Sequence, residues 1–225
     1  SYLMKTLKYI LIIGFLIYSC ESKNAEYEIL NRTKIIKKDN CEIPISYPEI
    51  KGLLDKVKMA KLNEILEDYA EHEYYAHNCE KVDTKKSQVT GNYKILLKTD
   101  SILSVEFQTL ISRGGIKKDT VYHSIVVNPK QKDTLKVGLL GIEPNQIIPN
   151  FKRGMIYPYV KKYSAENNNY VNLLAYETGS NYVITWAISE KNFIVYVGGE
   201  GEWFGNNKIE IPLNELKEKT TANKV

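Results

Sequence analysis

The residues best placed to do chemistry lie in Gly198-Gly199-Glu200-Gly201-Glu202-Trp203-Phe204-Gly205. Its glycines leave the backbone permissive, and Glu200 and Glu202 share one face when the chain is extended, with Trp203 and Phe204 beside them. Glycoside hydrolysis needs two carboxylates about 5–10 Å apart, a separation such a pair can roughly reach. Catalytic pairs normally come from separate elements, with one pKa raised by burial. Three readings therefore stand: a structural turn, a ligand-contact loop anchored by Trp203 and Phe204, and a glycan-cleaving pair.

The remaining constellations are weaker. His77-Asn78-Cys79 sets an imidazole near a thiol, but nucleophilic Cys/His pairs are assembled by the fold and not by local sequence. His72 and His77, flanked by Glu71 and Glu73, invite a metal reading. On a helix, rings five residues apart diverge by about 140°, whereas a zinc pair needs the i,i+4 spacing. No catalytic residue, metal ligand or cofactor is assigned, and the chain is read as a non-enzyme. His123 is expected to be a hydrogen-bonded residue of a strand.

These residues must be held by elements that the patterning locates. A strand is predicted over 26–37, and Ile43-Pro44-Ile45-Ser46-Tyr47-Pro48 must be extended, because proline disfavours helix in the residue before it. Leu54, Val57, Leu62, Ile65, Leu66 and Tyr69 recur near helical spacing, which predicts a long helix over 52–75. Strands are predicted at 91–98, 102–111, 119–127 and 134–137, separated by turn signals at Thr99-Asp100, Arg113-Gly114-Gly115 and Asn128-Pro129-Lys130. Connections this short imply antiparallel pairing. A helix follows over 145–163, with Pro149 tolerated in its first turn and Pro158 interrupting it. Strands at 182–188, 193–197 and 208–211 close the domain, the first two joined at Glu190-Lys191-Asn192. The expected fold is α+β: an antiparallel sheet packed by one long N-terminal helix and a second, Pro-interrupted helix.

Ahead of these elements, Lys5 and Lys8 precede an apolar run, Tyr9 to Ile17, too short to span a bilayer as a helix. It ends in Leu16-Ile17-Tyr18-Ser19-Cys20, which resembles the lipobox of bacterial lipoproteins. The expectation is a signal peptide over 1–19 (1–3 an upstream remnant) and a chain lipid-anchored to a membrane at Cys20, in the bacterial cell envelope on the periplasmic side or the cell surface. Lipid chains of this kind hold a protein durably, at about 0.8 kcal/mol per buried methylene. Export would place Cys41 and Cys79 in an oxidising compartment, where a disulfide between them becomes possible and two free thiols remain the alternative.

Charge narrows the partners. The chain carries 31 basic and 27 acidic residues, and without Lys5 and Lys8 the balance falls to 29 against 27, a net +2. The Lys37-Lys38, Lys85-Lys86, Lys117-Lys118 and Lys161-Lys162 doublets are scattered, with no basic face of the kind that binds nucleic acid. The 17 tyrosines against 5 phenylalanines suit sheet cores, sheet edges and wet binding surfaces alike. Asp100-Ser101-Ile102, Asp119-Thr120-Val121 and Asp133-Thr134-Leu135 resemble the acceptor triplet of periplasmic O-glycosylation, a pattern that strand starts also produce by chance.

Three segments together resemble a family of exported bacterial domains found as the outer part of lysozyme-sensing anti-sigma factors and upstream of some peptidoglycan deacetylases. They are Tyr47-Pro48-Glu49-Ile50-Lys51-Gly52; Leu103-Ser104-Val105-Glu106-Phe107 with the Gly114-Gly115 turn; and Phe193-Ile194-Val195-Tyr196 through Ile209-Glu210-Ile211-Pro212-Leu213-Asn214-Glu215-Leu216. The likeness spans about 41–217. Ile116 stands where the family loop has a histidine, so any role of that imidazole does not transfer, and no stretch of these 225 residues is expected to be an anti-sigma segment or a deacetylase domain. The resemblance implies a ligand-binding domain, with a lysozyme-like protein or a peptidoglycan fragment as ligand. The alternatives are an envelope structural or assembly lipoprotein and a glycan-acting enzyme. The chain divides into the leader, a tether and first strand over 20–40, an N-terminal helix-and-strand part over 41–112, a C-terminal part over 113–217 and a polar tail over 218–225.

Overall fold

The computed structural model describes residues 27–38, 41–71, 88–113, 117–130, 144–167, 185–197 and 207–216. Strands dominate: β1 (Glu28–Lys38), β2 (Cys41–Lys51), β3 (Gln88–Lys98), β4 (Leu103–Arg113), β5 (Lys117–Val127), β6 (Thr185–Ile188), β7 (Asn192–Val197) and β8 (Asn207–Pro212). The helices are short: α1 (Lys56–Ala70), α2 (Pro144–Ile147) and α3 (Tyr157–Asn167), with a 3-10 turn at Arg153–Met155.

This corrects the expected α+β fold of one antiparallel sheet under a long N-terminal helix and a Pro-interrupted second helix. The structure is mainly β and has two sheets, ordered β1-β2-β3-β4-β5 and β6-β7-β8. β2 and β3 run parallel, with Ile45 opposite Gly91; the connection between them contains α1 and is long enough for the crossover that parallel strands require. α1 is confined to 15 residues because Asp55 stops it at the N-terminal side, its side chain accepting from the Lys58 N–H at 3.0 Å. Leu54 and Val57, counted on its apolar face from their spacing, are exposed instead. The prolines also act differently from expectation. Pro149 lies in the turn after α2, while Pro158 sits in the first turn of α3, where its missing N–H breaks no helical bond.

The meander β3-β4-β5 is antiparallel, as its short connections require. At the first of its turns Thr99 accepts from the Ile102 N–H at 2.9 Å through its hydroxyl. One face of the large sheet buries Ile43, Ile45, Val89, Val105, Phe107 and Ile125 against Leu62, Ile65, Leu66 and Ala70 of α1. The helix is tied to β2 by Asn63, whose amide accepts from the Ile50 N–H at 2.7 Å and donates to the Ile50 carbonyl at 3.0 Å. His123 is buried on this side, stacked on Phe107 at 5.1 Å. Its Nε2 lies 2.5 Å from the Tyr69 carbonyl, so the ring meets the last turn of α1, which has no basic residue of its own.

The small sheet has its own helix. Phe193, Val195, Ile209 and Ile211 pack on Ile156 and Val160, and Trp186 and Phe151 close on Phe193 at ring distances of 5.3 Å each. Its opposite face, with Ala187, Ile194 and Tyr196, meets Leu96 and Tyr122 of the large sheet. β6 is an edge strand whose outer backbone groups are met by serines of the large sheet. The Ile188 N–H donates to the Ser104 hydroxyl at 3.0 Å, and the Ser124 hydroxyl donates to the Trp186 carbonyl at 2.8 Å. β4 is thereby buried on both faces, by α1 on one and the small sheet on the other.

Candidate functional site

Between the two sheets lies the chain's most concentrated group of buried polar side chains among the described residues. Glu106 points from β4 toward β7 and β8 and is fully buried. The Tyr196 O–H donates to its Oε2 at 2.5 Å, Lys208 Nζ stands 2.9 Å from the same oxygen, and the Gln108 amide donates to Oε1 at 2.7 Å. Tyr122 stacks on Tyr196 with ring centroids 5.8 Å apart. Lys208 also reaches Glu210 Oε1 at 3.4 Å, and Glu210 Oε2 accepts from the Asn192 amide at 2.8 Å, so the network runs from the interior to the surface.

The electrostatics make Glu106 an anion held in place. Burial works against its charged form, but hydrogen bonds from Tyr196, Lys208 and Gln108 outweigh that cost and hold the carboxyl below the ordinary carboxylate range. Burial, reinforced by the Glu106 charge, pushes the Tyr196 phenol far above its ordinary value. Burial also opposes the charge on Lys208, yet its bond to Glu106 leaves the ammonium above the usual lysine range. A general acid or base needs a pKa near the working pH and a free lone pair or proton aimed at substrate. Glu106 has the reverse: a lowered pKa and both oxygens engaged. The cluster is suited to fixing one sheet against the other.

The surface offers a different feature. β1 forms one border of the large sheet and pairs only with β2 among the described residues, from Glu28 opposite Lys51 to Lys38 opposite Cys41. From Asn31 to Ile35 every side chain is exposed, so this stretch stands clear of the core on both faces. Arg32 binds Glu49 through two nitrogens at 2.7 and 2.8 Å, Lys34 bridges Glu67 and Glu71 of α1, and Lys37 meets Glu42 at 3.3 Å. Hydrogen bonds donated to Glu71 and Glu67 raise the Lys34 pKa. Exposed pairs of this kind contribute about 0–1 kcal/mol each. Their effect is to hold the ribbon in place, while no strand among the described residues pairs with its outer backbone edge.

Of the residues singled out in the sequence, Cys41 lies in β2 opposite Lys38. Cys20, Cys79, Glu200, Glu202, Trp203 and Phe204 lie outside the described residues, as do His72 and His77. The Glu106 cluster carried no distinguishing sequence signal: Ser104, Glu106 and Gln108 alternate with apolar residues exactly as a solvent-facing row would, and nothing in one strand announces a second sheet above it.

No family model matches the chain, and no curated protein matches it. Among solved structures it is similar to a DUF3298 family member from Bacteroides fragilis, with a TM-score of 0.44 and 11% identity, covering 87% of this chain and 93% of that one. A DUF3298 family protein from Pseudomonas aeruginosa PAO1 gives a TM-score of 0.44 and 10% identity, covering 87% and 94%. At that distance the likeness carries no argument about activity; DUF3298 is itself a designation for a domain of unknown function.

Proposed function

We propose that this chain is a binding module of the bacterial cell envelope, lipid-anchored through Cys20, that takes up an extended strand of a lysozyme-like protein along β1. The observation that carries the reading is the outer edge of β1, eleven residues long, unpaired among the described residues and with every side chain exposed from Asn31 to Ile35. A border strand presents unpaired backbone donors and acceptors in register, and adding a strand to it is a recurring mode of peptide recognition. The lipobox-like Cys20 and the segments shared with the lysozyme-sensing domains supply the compartment and the ligand class. A peptidoglycan fragment is the competing ligand. A second copy is the competing occupant, since antiparallel self-pairing about Thr33 would set Glu28 opposite Lys38.

Alternate amides along β1 point toward β2 and away from it, so one of Arg32→Pro and Thr33→Pro removes an outward donor and leaves the hairpin ladder intact. Thermal unfolding identifies which variant that is. Full-length chain on beads should retain lysozyme, and the variant with unchanged stability should retain at most about a tenth as much, as loss of a central hydrogen bond and a clash on the edge together imply. Retention of peptidoglycan alone, a concentration-dependent dimer alone, or undiminished lysozyme retention by both variants would each overturn the proposal.

A further inference from the structure

The connection from β2 to α1 and the first turn of α1 bear the most exposed large apolar side chains among the described residues. Leu54 is 97% exposed and Val57 76%. Gly52, at φ 90°, takes the left-handed conformation that lets the chain turn there, and Asp55 is occupied in capping α1. Lys51 and Lys56 flank Leu54 and are exposed as well.

The charge along α1 runs against the helix dipole. Lys56, Lys58 and Lys61 occupy its first half, Glu64, Glu67 and Asp68 its second, and Glu71 follows; its first turn holds no acidic residue and its last no basic one. Basic groups at an N-terminus and acidic groups at a C-terminus both cost helix stability. Lys58 is buried and Lys61 pairs with Glu64 at 2.8 Å, so two features meet at this end of the helix: apolar side chains that the fold leaves uncovered, and the exposed ammonium groups of Lys51 and Lys56. A sequence that breaks a local rule in this way is expected to gain elsewhere.

We infer that residues 51–57 form a membrane-contact tip that docks on an anionic lipid surface. Leu54 and Val57 enter the boundary between headgroups and acyl chains, while Lys51 and Lys56 lay their stems along it and keep their ammonium groups among the phosphates. A protein partner fits less well. Interface anchors are mainly aromatic or arginine side chains seated in pockets, whereas Leu54 stands almost free of neighbours. The tip acts in addition to acylation at Cys20 and does not depend on the β1 ligand.

Hydrogen exchange of the full-length chain bound to vesicles tests the inference. With phosphatidylglycerol vesicles, amides 52–57 should exchange about fivefold more slowly than with phosphatidylcholine vesicles, and Leu54→Ser/Val57→Ser should abolish the difference. Both side chains are exposed, so the double variant should fold normally. Equal exchange on the two lipids, slowing that survives in the double variant, or slowing that requires an added acidic protein or rises with chain concentration would overturn the inference. Flotation of Cys20→Ser reads the anchor separately: a chain that floats only with Cys20 intact, with no slowing at 52–57, removes the tip and leaves the anchor standing.

Discussion

Glu106→Ala should destabilise the protein by about 3–5 kcal/mol, read as a lowered midpoint in urea denaturation. The loss comes from what remains. The Tyr196 hydroxyl and the Lys208 ammonium, the latter only 23% exposed, lose the carboxylate that compensates them between the sheets. Exposed pairs set the contrast: Lys34→Ala, on the rim, should cost about 1 kcal/mol or less. Glu106→Gln separates charge from shape, because it keeps the volume and one acceptor and should lose less than alanine does.

The sign of the pH dependence follows from the direction of the shift. Glu106 holds its proton less tightly folded than unfolded, where a glutamate titrates near about 4.3. Its contribution is therefore complete above that value and is lost as pH falls through the lower, folded value. Unfolding midpoints measured downward from about pH 5 should fall more steeply for the wild type than for Glu106→Gln. Equal slopes would mean that the carboxylate is not held as an anion between the sheets.

Phe107→Ala should also destabilise by about 3–5 kcal/mol, from the adjacent residue and the opposite face of β4. Phe107 is fully buried, stacks on His123 at 5.1 Å and lies 6.3 Å from the Tyr69 ring, under the end of α1. Its removal leaves a cavity in the core that the helix covers, and the small sheet is not touched. The Phe107→Ala variant should therefore keep the wild-type slope of stability against acid, whereas the Glu106 variants should not. That difference distinguishes a strand buried from two sides from one with a single buried face.

β4 also shows where sequence reasoning stopped. Its extent and its antiparallel partners were legible because apolar residues alternate over most of Leu103 to Ile111 between clear turns, and β7 was legible as a short continuous apolar run, Phe193 to Val197, after a turn. The role of Ser104, Glu106 and Gln108 was not, because the alternation that marks an outward row is the same whether water or another sheet lies beyond it. The parallel pairing of β2 with β3 was hidden for a related reason: Pro44 and Pro48 showed that the segment is extended, but strand neighbours set by a crossover leave no local trace. In α1, helical spacing included Leu54 and Val57, while the capping bond from the Lys58 N–H to Asp55 starts the helix after Leu54 and leaves Val57 exposed in its first turn. The expected site residues Cys20, Cys79, Glu200, Glu202, Trp203 and Phe204 lie outside the described residues, and the open edge of β1 became visible only once the strand order was known.

Hydrogen exchange of the full-length chain with and without lysozyme tests the account most directly. A strand added to β1 must shield its outward amides, so alternate amides between Asn31 and Ile35 should slow on complex formation while those of β7, inside the small sheet, stay as they were. A complex that forms with the β1 amides unchanged, or with protection confined to another surface, would contradict it.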